Sequence, residues 1–151
     1  MTESRTAVQG LWRALDANAN RAREGLRVSE DVARFLWDDP RLTRTLKKIR
    51  HGVTGAEKRL FASAAGRIRS RDVGGDLGRG NSEASESLRR SPSDLFRANL
   101  KRAQEALRSL EEFAKALGRS EAIVFKSLRY ECYRAEEMAE KHLDLTRPKA
   151  R

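Results

Sequence analysis

The chain is poor in residues that cross-link a fold or bind zinc. It has one cysteine, Cys132, and two histidines in 151 residues. An intrachain disulfide is therefore excluded, and a zinc site of Cys and His ligands is not expected. A single cysteine suits a reducing compartment, so we expect a cytoplasmic protein. The length suits one domain that can bury a core without disulfides.

Long apolar runs and aromatic residues are also scarce. No run approaches the roughly 20 apolar residues of a membrane span, and the N-terminal "MTESRTAVQG" lacks the apolar segment of a signal peptide. Aromatic residues make up 6% of the chain and are scattered, which argues against a stacking surface for single-stranded nucleic acid. We therefore expect neither a membrane nor a specific nucleic acid as partner.

Positive charge is what the chain has in excess. It has 32 Lys and Arg residues against 22 Asp and Glu, a formal net charge of +10, and 24 of the basic residues are arginine. A surface of this kind attracts polyanions or phosphorylated small molecules. Arginine suits bidentate contacts to phosphate and carboxylate, although the base composition of a genome can produce the same bias.

Alternation of period two is absent, so the sequence predicts an all-α protein. Asp39 and Pro40 form a predicted helix start, and Gly118 a predicted break. Between these signals, apolar residues recur at helical spacing. The pattern predicts a Gly/Arg-rich connector at 66–93 and helices at about 8–37, 41–64, 93–117 and 120–143.

The first half of the chain is repeated in the second. "ANANRAREGLRVSEDVARFL" aligns without gaps on "ANLKRAQEALRSLEEFAKAL", 81 positions later, and "IRHGVTGAE" resembles "LRYECYRAE". The repeat predicts a single domain over 1–151 made of two duplicated helical hairpins, 8–64 and 94–143, joined by the connector. Two hairpins can bury their apolar stripes on one another as an antiparallel four-helix-type bundle.

Polar residues are repeated together with the apolar stripe. At about 100° per residue, Asn18 and Arg21 flank the stripe, whereas Glu24 and Arg27 point away from it. These residues fit solvated ion pairs at i,i+3 spacing, and they equally fit a shared polar site near a pseudo-twofold axis. The matched pairs are Asn18/Asn99, Arg21/Arg102, Glu24/Glu105, Arg27/Arg108 and Glu30/Glu111.

The connector "RSRDVGGDLGRGNS" combines glycines, arginines and aspartates. Glycine lets backbone N–H groups approach an oxyanion, and arginine adds charge-assisted hydrogen bonds. A flexible linker has a similar composition, so both interpretations stay open.

Five segments in this order resemble a small all-helical family. They are "RALDANANRAREGLRVSEDVARF", "IRH", "RDVGGDLG", "NLKRAQEALRSLEEFAK" and "LRYE", and they span residues of about 12–136. The family is the monofunctional hydroxymethylpyrimidine monophosphate kinases of thiamine biosynthesis, which occur alone or fused to thiamine-phosphate synthase. One departure is "DLGRG", where relatives end in a "DVGT"-like sequence.

The resemblance implies a kinase that transfers the γ-phosphoryl group of ATP to 4-amino-5-hydroxymethyl-2-methylpyrimidine phosphate, with Mg²⁺. It implies a catalytic set that clamps phosphates and holds the metal: Arg21, Arg27, Arg102, Arg108, Glu24 and Glu105. It implies substrate or phosphate contacts from Asn18, Asn99, Arg71, Gly74, Gly75, Gly78, Arg50, His51, Arg129 and Tyr130. Asp72 and Asp76 are the implied Mg²⁺ ligands, and Glu30 and Glu111 are supporting residues.

Two other functions stay open beside the kinase. The chain could be a non-catalytic basic helical module that binds polyanions such as RNA, or a structural partner of thiamine-phosphate synthase. The site could lie within one chain or be closed by a homodimer.

Overall fold

The computed structural model describes residues 2–62 and 89–143, with the side chains of residues 2–4 left aside. Over these two ranges the chain is helical and contains no strand, which confirms the all-α prediction. The helices are α1 (Thr2–Asp31), α2 (Pro40–Leu60), α3 (Pro92–Ala116) and α4 (Glu121–Ala139). A π-helical turn, Val32–Leu36, extends α1, and a 3₁₀ turn, Glu140–His142, follows α4.

The helix ends follow local sequence signals. The Asp39 side chain accepts a hydrogen bond from the Leu42 N–H at 3.0 Å at the start of α2, and Pro40 occupies the first turn. Ser91 caps α3 in the same way by accepting from the Asp94 N–H. Gly118 has a φ of 65°, the left-handed conformation that ends a helix and that glycine adopts without strain.

The described helices differ from the predicted ones at two ends. α1 begins at Thr2 rather than near residue 8, and α2 ends at Leu60 rather than near residue 64. Residues 5–10 of α1 are exposed, so this part of the helix has no apolar periodicity to reveal it. Of the predicted connector, only residues 89–93 lie within the described residues.

The π-helical turn changes the direction of the chain after α1. The Trp37 N–H donates to the Val32 carbonyl at 3.1 Å, and the Asp39 N–H donates to the Ala33 carbonyl at 2.9 Å. Asp38 has a φ of 47°. This wider turn and the left-handed residue bring Asp39 into the capping position of α2.

The core lies inside a ring of four helices. α1 packs against α2 and α3, and α4 packs against α3 and α2. The pairing of α1 with α3 is the most extensive, and it joins the two repeated helices directly. Fully buried apolar side chains from all four helices fill the interior, among them Leu26, Leu46, Leu107 and Phe125. The second helices of the two hairpins therefore lie on the opposite side of the bundle from the α1–α3 face.

Among the described helices, none combines the length and apolarity needed to cross a membrane.

Candidate functional site

A groove of about 670 Å³ lies between α1 and α3. Its volume is typical of pockets that hold small molecules. Ten residues line it, and they form five pairs, each separated by the 81 positions of the sequence repeat. The pairs are Asn18/Asn99, Arg21/Arg102, Glu24/Glu105, Gly25/Ala106 and Val28/Ser109. The groove therefore lies on the pseudo-twofold axis that relates the two hairpins.

The two helices cross closely beside this groove. A β-carbon on Gly25 would lie 2.5 Å from the Asn99 carbonyl oxygen and 3.2 Å from the Ala103 backbone nitrogen. Gly25 is buried, so its backbone is covered by α3 and is not open to a ligand. The missing side chain lets the backbones of α1 and α3 meet at the end of the groove.

Asn18 and Asn99 are held in matching orientations. The Asn18 Nδ2 donates to the Ala14 carbonyl at 2.9 Å, and the Asn99 Nδ2 donates to the Leu95 carbonyl at 2.9 Å. Each side-chain amide thus uses one of its two N–H donors on its own helix. The Oδ1 atoms are left as acceptors at the groove, which suits a ligand that presents N–H or O–H groups.

Charged side chains of both signs line the same groove. Arg21, Arg102, Glu24 and Glu105 are exposed, and within residues 2–62 and 89–143 none of the four forms a salt bridge. Glu24 lines the groove beside Arg21 even though its helical position points away from the apolar stripe. The groove can therefore offer cations to a phosphate and carboxylates to a donor or a metal ion.

Other repeated polar residues lie outside the groove and connect helices within each hairpin. Arg50 Nε donates to Glu30 Oε2 at 2.7 Å, and Arg129 Nη2 donates to Glu111 Oε2 at 3.0 Å. The two carboxylates are 5% and 2% exposed. These predicted contact residues form matching buried ion pairs, α1 to α2 and α3 to α4.

Arg27 and Arg108 belong to the same pattern. They are 56% and 54% exposed, and they approach Glu30 and Glu111 at 3.9 Å and 3.3 Å. Neither lines the groove, so the structure separates the predicted phosphate clamp into a groove pair, Arg21 and Arg102, and an outer pair.

The predicted contacts His51 and Tyr130 are exposed on α2 and α4 and do not line the groove. The Tyr130 ring lies edge-on to Tyr133, with ring centroids 5.5 Å apart, and below the Arg129 guanidinium at 5.2 Å. Because α2 and α4 lie on the other side of the bundle from the α1–α3 face, these residues lie away from Asn18 and Arg21.

The predicted connector residues Arg71, Asp72, Gly74, Gly75, Asp76 and Gly78 lie outside the described residues. Within the described ranges, no group of three or more His, Cys, Asp and Glu residues could hold a metal ion. Glu24 and Glu105 are the carboxylates that the groove itself offers.

Sequence reasoning missed four of the lining residues: Gly25, Val28, Ala106 and Ser109. Small and apolar residues carry no chemical signal by themselves. The signal that could have found them is register, because Asn18, Arg21, Gly25 and Val28 share one edge of a helix at spacings of three and four. The repeat then places Ala106 and Ser109 opposite them.

The chain is similar to a known protein family over most of its length. A profile of the ThiD2 family matches residues 13–138, which include every residue of the groove. The chain belongs to the ThiD2 family. No solved structure matches the chain.

Curated relatives of this ThiD2 chain are named thiamine-phosphate synthase. The protein of Rhodopirellula baltica is 45% identical over 131 residues, 87% of this chain and 33% of the relative. The protein of Synechocystis is 38% identical over 126 residues, 83% of this chain and 35% of the relative. The protein of Gloeobacter violaceus is 39% identical over 131 residues, 87% of this chain and 37% of the relative. The chain thus spans about a third of the length of these relatives.

These names correct the expected activity. The resemblance implied a pyrimidine monophosphate kinase and therefore a phosphotransferase. The relatives are instead named for a synthase of the same pathway, so the kinase assignment is contradicted while thiamine biosynthesis is supported.

Proposed function

We propose that this ThiD2 chain is a ligand-binding helical module of thiamine phosphate synthesis, and that its α1–α3 groove holds a phosphorylated intermediate of that pathway. The observation that carries the proposal is the groove itself, whose ten lining residues all come from repeated positions. Arg21 and Arg102, which have no carboxylate partner among the described residues, are available to a phosphate.

The acceptors of the groove indicate the rest of the ligand. The Asn18 and Asn99 Oδ1 atoms and the Glu24 and Glu105 carboxylates can accept hydrogen bonds from a ligand. A ligand with both an amino group and a phosphate satisfies both sets of residues. A phosphorylated aminopyrimidine, or thiamine phosphate itself, has this combination of groups.

Mg²⁺ fits the same groove as a companion of the phosphate. It commonly uses one or two protein carboxylates together with substrate phosphates and water, and Glu24 and Glu105 supply two carboxylates. A bound Mg²⁺ would neutralise phosphate charge. ATP, the other expected ligand, stays a prediction that the same binding assay addresses.

The relatives supply the context of the module. Each is about three times as long as the matched segment and is named for thiamine phosphate synthesis. We infer that the module works beside the enzyme that makes thiamine phosphate, as a separate partner or within one chain, and supplies a phosphate-binding site to it.

Isothermal titration of the chain with thiamine phosphate, with inorganic pyrophosphate and with ATP, each with and without Mg²⁺, tests the proposal. We expect saturable one-site binding of thiamine phosphate. Arg21→Ala and Arg102→Ala should each weaken binding about tenfold or more, because a charge-assisted hydrogen bond contributes about 1.5–3 kcal/mol.

Arg134→Ala is the matched control. Arg134 is 71% exposed on α4 and pairs with Glu131, so its loss should leave binding unchanged. Equal effects of the three substitutions would contradict the groove as the site. Binding of RNA with a steep salt dependence, together with no binding of the small phosphates, would favour the polyanion-binding alternative.

A further inference from the structure

The groove is lined by repeated residues, and a symmetric lining cannot fix the orientation of an asymmetric ligand. If the lining were identical on both sides of the pseudo-twofold axis, a ligand with two different ends would bind equally well in two opposite orientations. Three of the five lining pairs are identical. Only Gly25/Ala106 and Val28/Ser109 distinguish one end of the groove from the other.

The close contact of Gly25 with Asn99 shows how these differences are arranged. Gly25 on α1 meets Asn99 on α3, so the pseudo-twofold axis places Ala106 near Asn18. Val28 lies one turn beyond Gly25, and Ser109 lies one turn beyond Ala106. One end of the groove is therefore formed by Gly25, Val28 and Asn99, and we call it the valine end.

The other end is formed by Ala106, Ser109 and Asn18, and we call it the serine end. Because Gly25 meets Asn99 and Ala103, the same helix register places Arg21 and Arg102 between the two ends. A phosphate held by both arginines would therefore sit at the middle of the groove. The remainder of the ligand must then extend toward one end or the other.

The two ends differ in both width and chemistry. At the valine end the absence of a side chain on Gly25 brings the helix backbones into contact, and the Val28 side chain offers no hydrogen bond. At the serine end Ala106 has a methyl group where Gly25 has no side chain. The half-buried Ser109 hydroxyl can donate and accept.

The Ser109 hydroxyl has no hydrogen-bond partner among the described residues, in contrast to Ser29, whose Oγ donates to the Gly25 carbonyl at 2.9 Å. A serine in a helix commonly satisfies its hydroxyl in the way Ser29 does. Ser109 therefore presents an unused donor and acceptor at the groove.

We propose that Ser109 is the specificity-determining residue that gives the ligand a single orientation, with its aminopyrimidine ring at the serine end. The ring then forms hydrogen bonds with the Ser109 hydroxyl, the Asn18 Oδ1 atom and the Glu105 carboxylate. The phosphate lies between Arg21 and Arg102. This inference rests on the proposed function, because it presupposes a phosphorylated ligand in the groove.

Exchange of the two residues across the axis tests the inference with thiamine phosphate as the probe. Ser109→Val makes both ends apolar and should weaken binding about two- to tenfold, the effect of one hydrogen bond. The double variant Val28→Ser with Ser109→Val moves the hydroxyl to the opposite end. It should restore most of the lost affinity, because Asn99 and Glu24 there repeat Asn18 and Glu105.

The orientation of the ligand gives a second readout. In the unaltered protein, nuclear Overhauser effects should connect the ring protons of the ligand with the Ala106 methyl group. In the exchanged double variant these effects should disappear as the ring turns to the other end. Ser109→Ala serves beside Ser109→Val, since alanine suits a helix and should fold as the parent does.

Unchanged affinity in both Ser109 variants, or no recovery in the double variant, would overturn the role of Ser109. Either result can occur while Arg21→Ala still weakens binding, in which case the proposed function survives. If the unaltered protein does not bind any of the phosphates, the proposed function fails first and the role of Ser109 fails with it.

Discussion

The Asn99 carbonyl oxygen on α3 lies 2.5 Å from the place that a β-carbon on Gly25 would take on α1. This contact sets how closely the two repeated helices approach and so fixes one end of the groove. Because the nearest atom is backbone, it cannot move aside as the end of a flexible side chain can.

Gly25→Ala should therefore destabilise the protein by about 1–3 kcal/mol, the range for overpacking a close contact, and should weaken ligand binding as α1 shifts. Gly10→Ala is the matched control, since nothing lies within 4 Å of a β-carbon at Gly10. Alanine there should stabilise α1 by about 0.5–1 kcal/mol. Urea unfolding measures both, and equal effects would show that the contact is not tight.

The buried ion pair of Glu111 with Arg129 predicts a large cost for removing one partner. The Glu111 side chain is 2% exposed and that of Arg129 is 14% exposed. Glu111→Ala leaves the guanidinium without its carboxylate and should cost about 3 kcal/mol. Glu112→Ala is the control, because the 49% exposed Glu112 pairs only at the surface and should change the unfolding free energy far less. A similar cost for both would show that the pair contributes little.

Stability should fall in acid because two buried carboxylates have lowered pKa values. Burial raises the pKa of Glu111, but hydrogen bonds from Lys115 and Arg129 outweigh it and lower the pKa from 4.5 to about 2. The Leu42 N–H lowers the pKa of Asp39 from 3.8 to about 2, against the effect of burial and with help from His142 and Lys141.

Each group therefore stabilises the fold above its unfolded pKa, and that stabilisation is lost as the pH falls from about 4.5 toward 2. Urea unfolding measured at a series of pH values from about 6 down to about 2 should show this loss of stability. Glu111→Gln and Asp39→Asn should each flatten the curve in that window. A slope unchanged in both variants would assign the acid sensitivity to other groups.

The single cysteine should be unreactive in the folded protein. Cys132 is fully buried, and burial, with Glu131 and Glu136 adding to it, raises its pKa to about 12. Since the thiolate is the reactive form, iodoacetamide should modify Cys132 only after unfolding. Rapid alkylation under native conditions would show that α4 opens locally.

Much of the fold could be predicted from local sequence signals. Asp39 with Pro40, Ser91 with Pro92, and Gly118 mark helix ends through interactions within a few residues, and the structure places helix ends at each. The early start of α1 could not be predicted, because exposed residues leave no periodic pattern.

The candidate site could be predicted from the sequence only in part. The repeat singled out Asn18, Arg21 and Glu24 with their partners, and all six line the groove. The same repeat also singled out Glu30 and Glu111, whose matching positions reflect ion pairs within each hairpin. One repeated pattern thus arose from two causes, and contacts between helices distant in sequence were needed to separate them.

The sequence by itself determined the helices, the duplication and the set of polar residues that recur. Helix periodicity and capping act over a few residues, and a repeat is visible without coordinates. Only the tertiary structure decided which recurring residues share a site, because that depends on which helix faces meet. The close approach at Gly25 places α1 against α3, puts Arg21 and Arg102 in one groove, and leaves Ser109 and Val28 to distinguish its two ends.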